Sequence, residues 1–334
     1  MLRTILLTTV ALAVSTSPAF AAQSATPSAE ASTALPASNP FAKPSTLYLQ
    51  TPDFTKIKDS DYLPAIIAGM AQQKAEVAQV ANNPAPPTFN NTLVPLERSG
   101  QLLERTYLAF SAVNGANTND TLQDVDSKTA PLLAAHSDYI FLNEKLFQRV
   151  KTLHDQQASL NLNPEQAKLL DVYYKQFVHA GAELSPEKQA QLKQMNERLS
   201  TLQTDFSQKL LAATKAGAVH VTDKVALAGL SDAEVAAAAE AAKGRKVDGY
   251  VLPLQNTTRQ PAATSLTSHE TRQALFDASV NRAEHGDAND TRNIVSEIAQ
   301  LRAQKAALLG YSNWADYALY DQMAKNRETA LGFL

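Results

Sequence analysis

The chain has 334 residues, 44% hydrophobic and 19% charged, which suits one large or two ordinary domains with a sizeable core and excludes wholesale disorder. A formal charge of -3 and the lack of any dense Lys/Arg stripe argue against a nucleic-acid partner. With no cysteine, disulfides, thiolate metal sites, a cysteine nucleophile and a lipidated cysteine are excluded.

The first residues predict a secretory signal peptide over 1–21. Arg3 supplies a short positive region, Thr4 to Val14 an apolar one, and Ala19-Phe20-Ala21 a small-x-small cleavage site. That apolar run is too short to span a bilayer, and no later stretch is long enough. The expectation is an exported, periplasmic protein with no membrane partner after cleavage. Without disulfides it would depend on its core for stability, which is feasible at this size. Residues 22–45 are rich in Ala, Ser, Thr and Pro, lack an apolar period, and predict a disordered linker. The remainder, 46–334, predicts one helical lobe.

From residue 59 nearly every segment carries a helical period. Leu63, Ile66, Ile67, Met70, Val77 and Val80 mark the first helix, with Pro64 in its first turn. The Pro-rich stretch from Asn83 to Thr88 ends it. Leu93, Leu96, Gly100, Leu103, Tyr107 and Phe110 predict a second, continuous helix, broken over Asn114 to Asn119. Further helices are expected over 120–138, 143–157 and from Pro164 to about His179. Ser185-Pro186 reads as an N-cap followed by proline at the first helical position. Leu192, Met195, Leu199, Leu202, Phe206 and Leu210 then line one face of a long helix, read as core-facing rather than as a coiled-coil seam.

The pattern changes at Val219 and Val221, which alternate, and at Tyr250 to Leu254. A minor β element is expected near 219–222 and 249–254. Between them Ser231 and Glu234 form a capping box opening an Ala-rich helix. Helices return over 268–283, 291–309 and 313–323. Asn326 looks like one more N-cap, followed by an apolar face from Ala330 to Leu334. That pattern is expected of a chain cut inside a helix. The fold class is therefore all-α with a small β insertion, and no repeat of fixed period supports a solenoid.

Motifs for chemistry are sparse. A zinc peptidase of the His-Glu-x-x-His type needs two histidines four apart, so that both face one side of a helix, with a glutamate between them to activate water. The histidines are His136, His154, His179, His220, His269 and His285, and no two are so spaced. His269-Glu270 comes nearest, but Gln273 stands where the second ligand should be, and Thr267 with Glu270 reads as a capping box. There is no Gly-x-Ser-x-Gly elbow, P-loop or dinucleotide fingerprint. One polar cluster has a functional look: Asn256, Thr257, Thr258, Arg259 and Gln260, directly after the second strand. Unpaired amides there could hydrogen-bond an extended peptide, and Asn256, Thr257 and Gln260 are the candidate substrate-channel residues. The same pattern also suits a polar turn linking a strand to a helix.

Several segments together resemble one family. They are Asn39-Pro-Phe41, the stretch from Asn82 to Thr92, Leu96-Glu-Arg-Ser-Gly100, Leu227 to Glu234, Tyr250 to Pro261 and Leu308-Leu-Gly-Tyr311. Their order and spacing resemble the bacterial peptidyl-dipeptidases, zinc metallopeptidases of the thimet oligopeptidase family, over residues 39–334. The resemblance implies one lobe of a two-lobed, channel-containing helical enzyme that releases dipeptides from the C-termini of short, unfolded peptides. It implies one zinc ion per active site. It also places the zinc ligands and the catalytic glutamate in a C-terminal half to which no position here corresponds. The expectation is an N-terminal half, inactive alone, whose partner is that missing half. A catalytically dead helical module that binds peptides or a protein is the alternative.

Overall fold

The computed structural model describes residues 35–334; the signal-peptide reading and the linker reading over 22–34 lie outside the described residues. The rest of the expected linker is anchored. Asn39 Oδ1 accepts from the Phe41 N–H at 2.9 Å, and its Nδ2 donates to the Asp61 carbonyl at 3.0 Å. Phe41 is 4% exposed, its ring 5.6 Å from that of Tyr62, and Arg105 Nη2 donates to its carbonyl at 2.9 Å. A single aromatic among small residues carries no period, so composition alone misplaces this boundary.

Helices dominate the described residues, with one two-stranded antiparallel ribbon. Helix α1 (Asp59–Ala81) is central. The Asp61 carboxylate accepts from the Lys58 N–H at 2.8 Å and so caps its start. That start puts Pro64 in the second turn, leaving the Ser60 carbonyl without its usual donor. Tyr62, Ile66, Met70, Val77 and Val80 are buried, each contributing about 1.5–3 kcal/mol of apolar transfer. Ile67 is 42% exposed.

The second expected helix is three pieces. Phe89–Leu93 is a π-helical turn running into the four-residue α2 (Val94–Glu97), and Gly100 then adopts a left-handed φ of +79 before α3 (Gln101–Asn117). The break expected over 114–119 narrows to Thr118 and Asn119. Asn119 Oδ1 accepts from the Leu122 N–H and opens α4 (Asp120–Phe141). Asn143 and Asn163 cap α5 (Glu144–Asp155) and α6 (Pro164–Ala180) in the same way, and Ser185 caps α7 (Pro186–Ala216).

Helix α1 packs on α3 and α4, α4 on α7, and α7 on α11 (Arg292–Leu308). One core joins the N-terminal half of α1 to α3 and α4 through Ile66, Leu102, Phe110 and Leu122; another joins its C-terminal half to α5 and α6 through Val77, Leu146, Phe147 and Phe177. On the long helix, Leu192, Leu199 and Leu202 are buried as expected, while Met195, Phe206 and Leu210 are half-buried.

A third core belongs to the insertion. Strand β1 (Val219–Val221) pairs with β2 (Tyr250–Leu252), Val219 opposite Leu252. Around the ribbon lie α8 (Asp232–Gly244), α9 (Asn256–Ser265) and α10 (His269–Val280), which bury Leu227, Ala238, Leu254, Leu266 and Leu275. The chain closes with α12 (Trp314–Leu319), shorter than the expected 313–323, and α13 (Arg327–Phe333), capped by Asn326 as predicted.

The α1–α3 crossing depends on a glycine. A Cβ placed on Gly69 would lie 2.7 Å from both the Cα and the N of Leu103. Gly69→Ala gains about 1 kcal/mol of helix propensity, but backbone cannot swing aside as a side chain can, and overpacking typically costs about 1–3 kcal/mol. The expected result is a lower urea midpoint; a midpoint at or above that of the parent would show that the helices separate at no cost.

Candidate functional site

The polar cluster after β2 is neither an open loop nor a turn. It is the start of α9: Asn256 and Thr257 occupy the first two helical positions, and Gln260 follows one turn later. These three lie within about 100° of arc at 100° per residue, so they share one face. All three are exposed. Gln255 provides no side-chain cap, and the next N–H groups, of Thr258 and Arg259, turn back to the Gln255 carbonyl at 3.0 and 2.8 Å. The N–H groups of Asn256 and Thr257 therefore remain available to an acceptor, as expected of the first positions of a helix. The three residues stand on a helix rather than on the extended or turn backbone expected of them. Two consecutive threonines and Pro261 argue locally against a helix, and burial of Ala262 and Leu266 overrides that preference.

The histidines are dispersed. Nε2 of His136 is 2.7 Å from Gln73 Oε1, the His154 ring stacks on Tyr174, and His220 Nε2 is 2.6 Å from the Asp248 carbonyl. His269 and His285 are exposed on separate segments; His269 lies in the first turn of α10, whose cap is Ser268 rather than Thr267. No group of three or more His, Asp or Glu side chains among the described residues could hold a metal ion. The described residues do not fit a zinc site.

The structure also assembles a polar seam from residues that no local motif marks. Lys305 Nζ of α11 donates to Asn196 Oδ1 of α7 at 2.6 Å, and Asn196 Nδ2 donates to Asp138 Oδ1 of α4 at 2.7 Å. Lys305 lies 5.5 Å from the centroid of Tyr317. Tyr317 and Tyr320 sandwich the His179 ring of α6 at 4.1 and 3.7 Å, and the Tyr311 hydroxyl is 3.0 Å from His179 Nδ1. Burial depresses the Lys305 ammonium pKa against the attraction of Asp138, and burial raises the Asp138 carboxyl. Burial, helped by the Lys305 charge, holds His179 down to about 4, and burial pushes Tyr317 up to about 12. The neutral imidazole therefore sits between the rings at pH 7. The contributing residues are up to 182 positions apart in the chain, from Asp138 to Tyr320, so no local spacing could have revealed the seam.

Residues 262–334 match the description of Peptidase family M3. Over 297 residues, or 89% of this chain and 44% of the relative, the chain is 46% identical to the dipeptidyl carboxypeptidase of Salmonella typhimurium. It is 44% identical over the same length to the dipeptidyl carboxypeptidase of Escherichia coli. It is 30% identical to the oligopeptidase A of Salmonella typhimurium over 287 residues, 85% of this chain and 42% of the relative. This almost wholly helical lobe thus resembles the peptidyl-dipeptidases of the thimet oligopeptidase family, and its C-terminal part matches Peptidase family M3. The chain spans less than half the length of these curated relatives.

Proposed function

We propose that this chain is part of a zinc-dependent peptidyl-dipeptidase that removes dipeptides from the C-termini of short, unfolded peptides in the periplasm. The supporting observation is the 46% identity over 297 residues to a dipeptidyl carboxypeptidase. The residues that would hold the zinc ion lie outside this chain. The chain contributes helical wall and support, and alone it turns over no peptide. The face of α9 carrying Asn256, Thr257 and Gln260 offers amides to an extended substrate. Residues 1–21 direct export; a reporter fused after them and recovered from the periplasm without them checks that part.

A chimaera tests the reading. Residues 39–334 replace the corresponding segment of the Escherichia coli dipeptidyl carboxypeptidase, and dipeptide release from an N-blocked tetrapeptide is followed. The expected outcome is zinc-dependent release, with none from the isolated chain. A folded, zinc-loaded chimaera that releases nothing would reject the proposal. In an active chimaera, the Asn256→Ala, Gln260→Ala double variant should raise KM by about fivefold to thirtyfold with kcat little changed, as for two hydrogen bonds of about 0.5–1 kcal/mol each. Unchanged KM and kcat would remove α9 from the peptide's path.

A further inference from the structure

Beside the polar seam, between α4, α7, α11 and the start of α12, lies an open cleft of about 280 Å³. Two cations of α11, Arg302 and Lys305, lie one turn apart on its wall, facing one carboxylate, Asp138. Asp138 is bonded to Asn196, which is bonded to Lys305. The three charges sum to +1, and the uncommitted one is the guanidinium. Arg302 packs over the Trp314 ring at 5.2 Å, and no described residue accepts a hydrogen bond from any of its nitrogens; its Nε is shielded from water. A shielded guanidinium donor without an acceptor is costly unless something supplies one. The remaining polar lining, Ser137, Ser200 and Gln203, adds hydroxyl and amide groups with no partner of their own among the described side chains.

We propose that this cleft binds a compact carboxylate, with Arg302 as its principal donor. Guanidinium is the side chain best matched to a carboxylate, since its planar fork can donate two parallel hydrogen bonds. The net charge suits a single negative charge, and the volume suits a group of a few heavy atoms rather than a polymer. The C-terminal carboxylate of a short peptide and a free small organic acid share this chemistry. The inference concerns this chain's own residues and does not depend on the peptidase reading.

Trp314 is the only tryptophan in the chain, so its emission reports on the ring against which Arg302 lies. The isolated chain is titrated with N-acetyl-glycyl-glycine and, separately, with its C-terminal amide and with acetate. A saturable change in emission with the acid and none with the amide is expected. A matching acetate response would assign the cleft to carboxylates in general, and a response to the peptide acid alone would assign it to peptide C-termini; both support the proposal. In Arg302→Gln the acid should bind roughly tenfold or more weakly, with the far-ultraviolet circular dichroism unchanged. Equal responses to acid and amide, no saturable response to the acid, or full affinity in a folded Arg302→Gln chain would each overturn the proposal. Should that variant fail to fold, the acid-against-amide contrast in the parent chain decides the matter.

Discussion

Replacement of Arg149 by methionine is expected to lower the unfolding free energy by about 3 kcal/mol, although the residue lies far from α9 and from the carboxylate cleft. Arg149, on α5, is 8% exposed. Among the described residues no carboxylate meets it. Nη1 donates to the carbonyls of Asn83 and Ala85 at 2.8 and 3.0 Å, and Nη2 to Asn91 Oδ1 and Thr92 Oγ1 at 2.9 and 3.2 Å. One side chain thus ties the proline-rich connection and the π-helical turn to the core of α5 and α6. Burial pulls its pKa below the usual guanidinium value, but arginine stays charged in proteins. The charge is stabilised by four oxygen dipoles. Methionine restores much of the apolar stem and leaves those oxygens without their donor. Bonds to charged groups contribute about 1.5–3 kcal/mol and a buried orphan costs about 1–3 kcal/mol, so the full set should far exceed one ordinary contact. Urea unfolding measures the total, and limited proteolysis between Ala85 and Thr88 reads the local loosening. A loss below about 1 kcal/mol would mean that water replaces the guanidinium.

Stability should also fall steeply in mild acid, with His136 one of two contributing histidines. The ring is 4% exposed. Because Gln73 Oε1 can only accept, Nε2 carries the proton of the neutral ring, and Nδ1 is buried without a partner. Burial, with the nearby Lys74 charge, holds the pKa at about 4 against an ordinary value of 6.5. The unfolded chain therefore takes up the proton first. Stability from this group is fully present above about pH 6.5 and is lost as the pH falls from 6.5 to 4. At 1.36 kcal/mol per unit, the interval corresponds to about 3 kcal/mol. His179 shifts the same way, from burial and Lys305, against an opposing pull from Asp321. Urea midpoints between pH 7 and 4.5 should decline, and His136→Met should remove about one proton's worth of that slope. An unchanged slope in the variant would show that the buried ring is not what senses acid.

The helix starts were the most legible part of the fold. Ser185, Ser231 and Asn326 declare themselves by residue type and spacing, and each accepts the expected N–H. The ribbon was legible because Val219 and Val221 alternate where every neighbour follows the helical period. Three misreadings share a cause. The kink at Gly100, the anchoring of Phe41 and the helix at Asn256 are decided by contacts with residues distant in sequence: Glu76 Oε2 accepts from the Gly100 N–H, Tyr62 meets Phe41, and the third core holds Ala262 and Leu266. Of the polar features, the Asn256–Gln260 cluster was singled out by its composition. The Asp138–Asn196–Lys305 seam was not, because each member alone is an ordinary polar residue on an amphipathic helix.

Helix α7 joins the large helical array to the ribbon. Its 31 residues extend about 46 Å. Near its midpoint Leu199 and Leu202 pack with Ile298 of α11. At its C-terminal end Thr214 Oγ1 accepts from Arg282 Nη1 at 3.1 Å, and a Cβ on Gly217 would lie 3.1 Å from Leu254. The ribbon and its three helices therefore lean on one end of a rod whose middle is fixed elsewhere. In hydrogen–deuterium exchange the rod should divide. Amides near Leu199 should exchange with the large helical array, whereas those near Ala213 should follow the ribbon, whose smaller core gives it the lower opening free energy. A single continuous helix would then report two cooperative units.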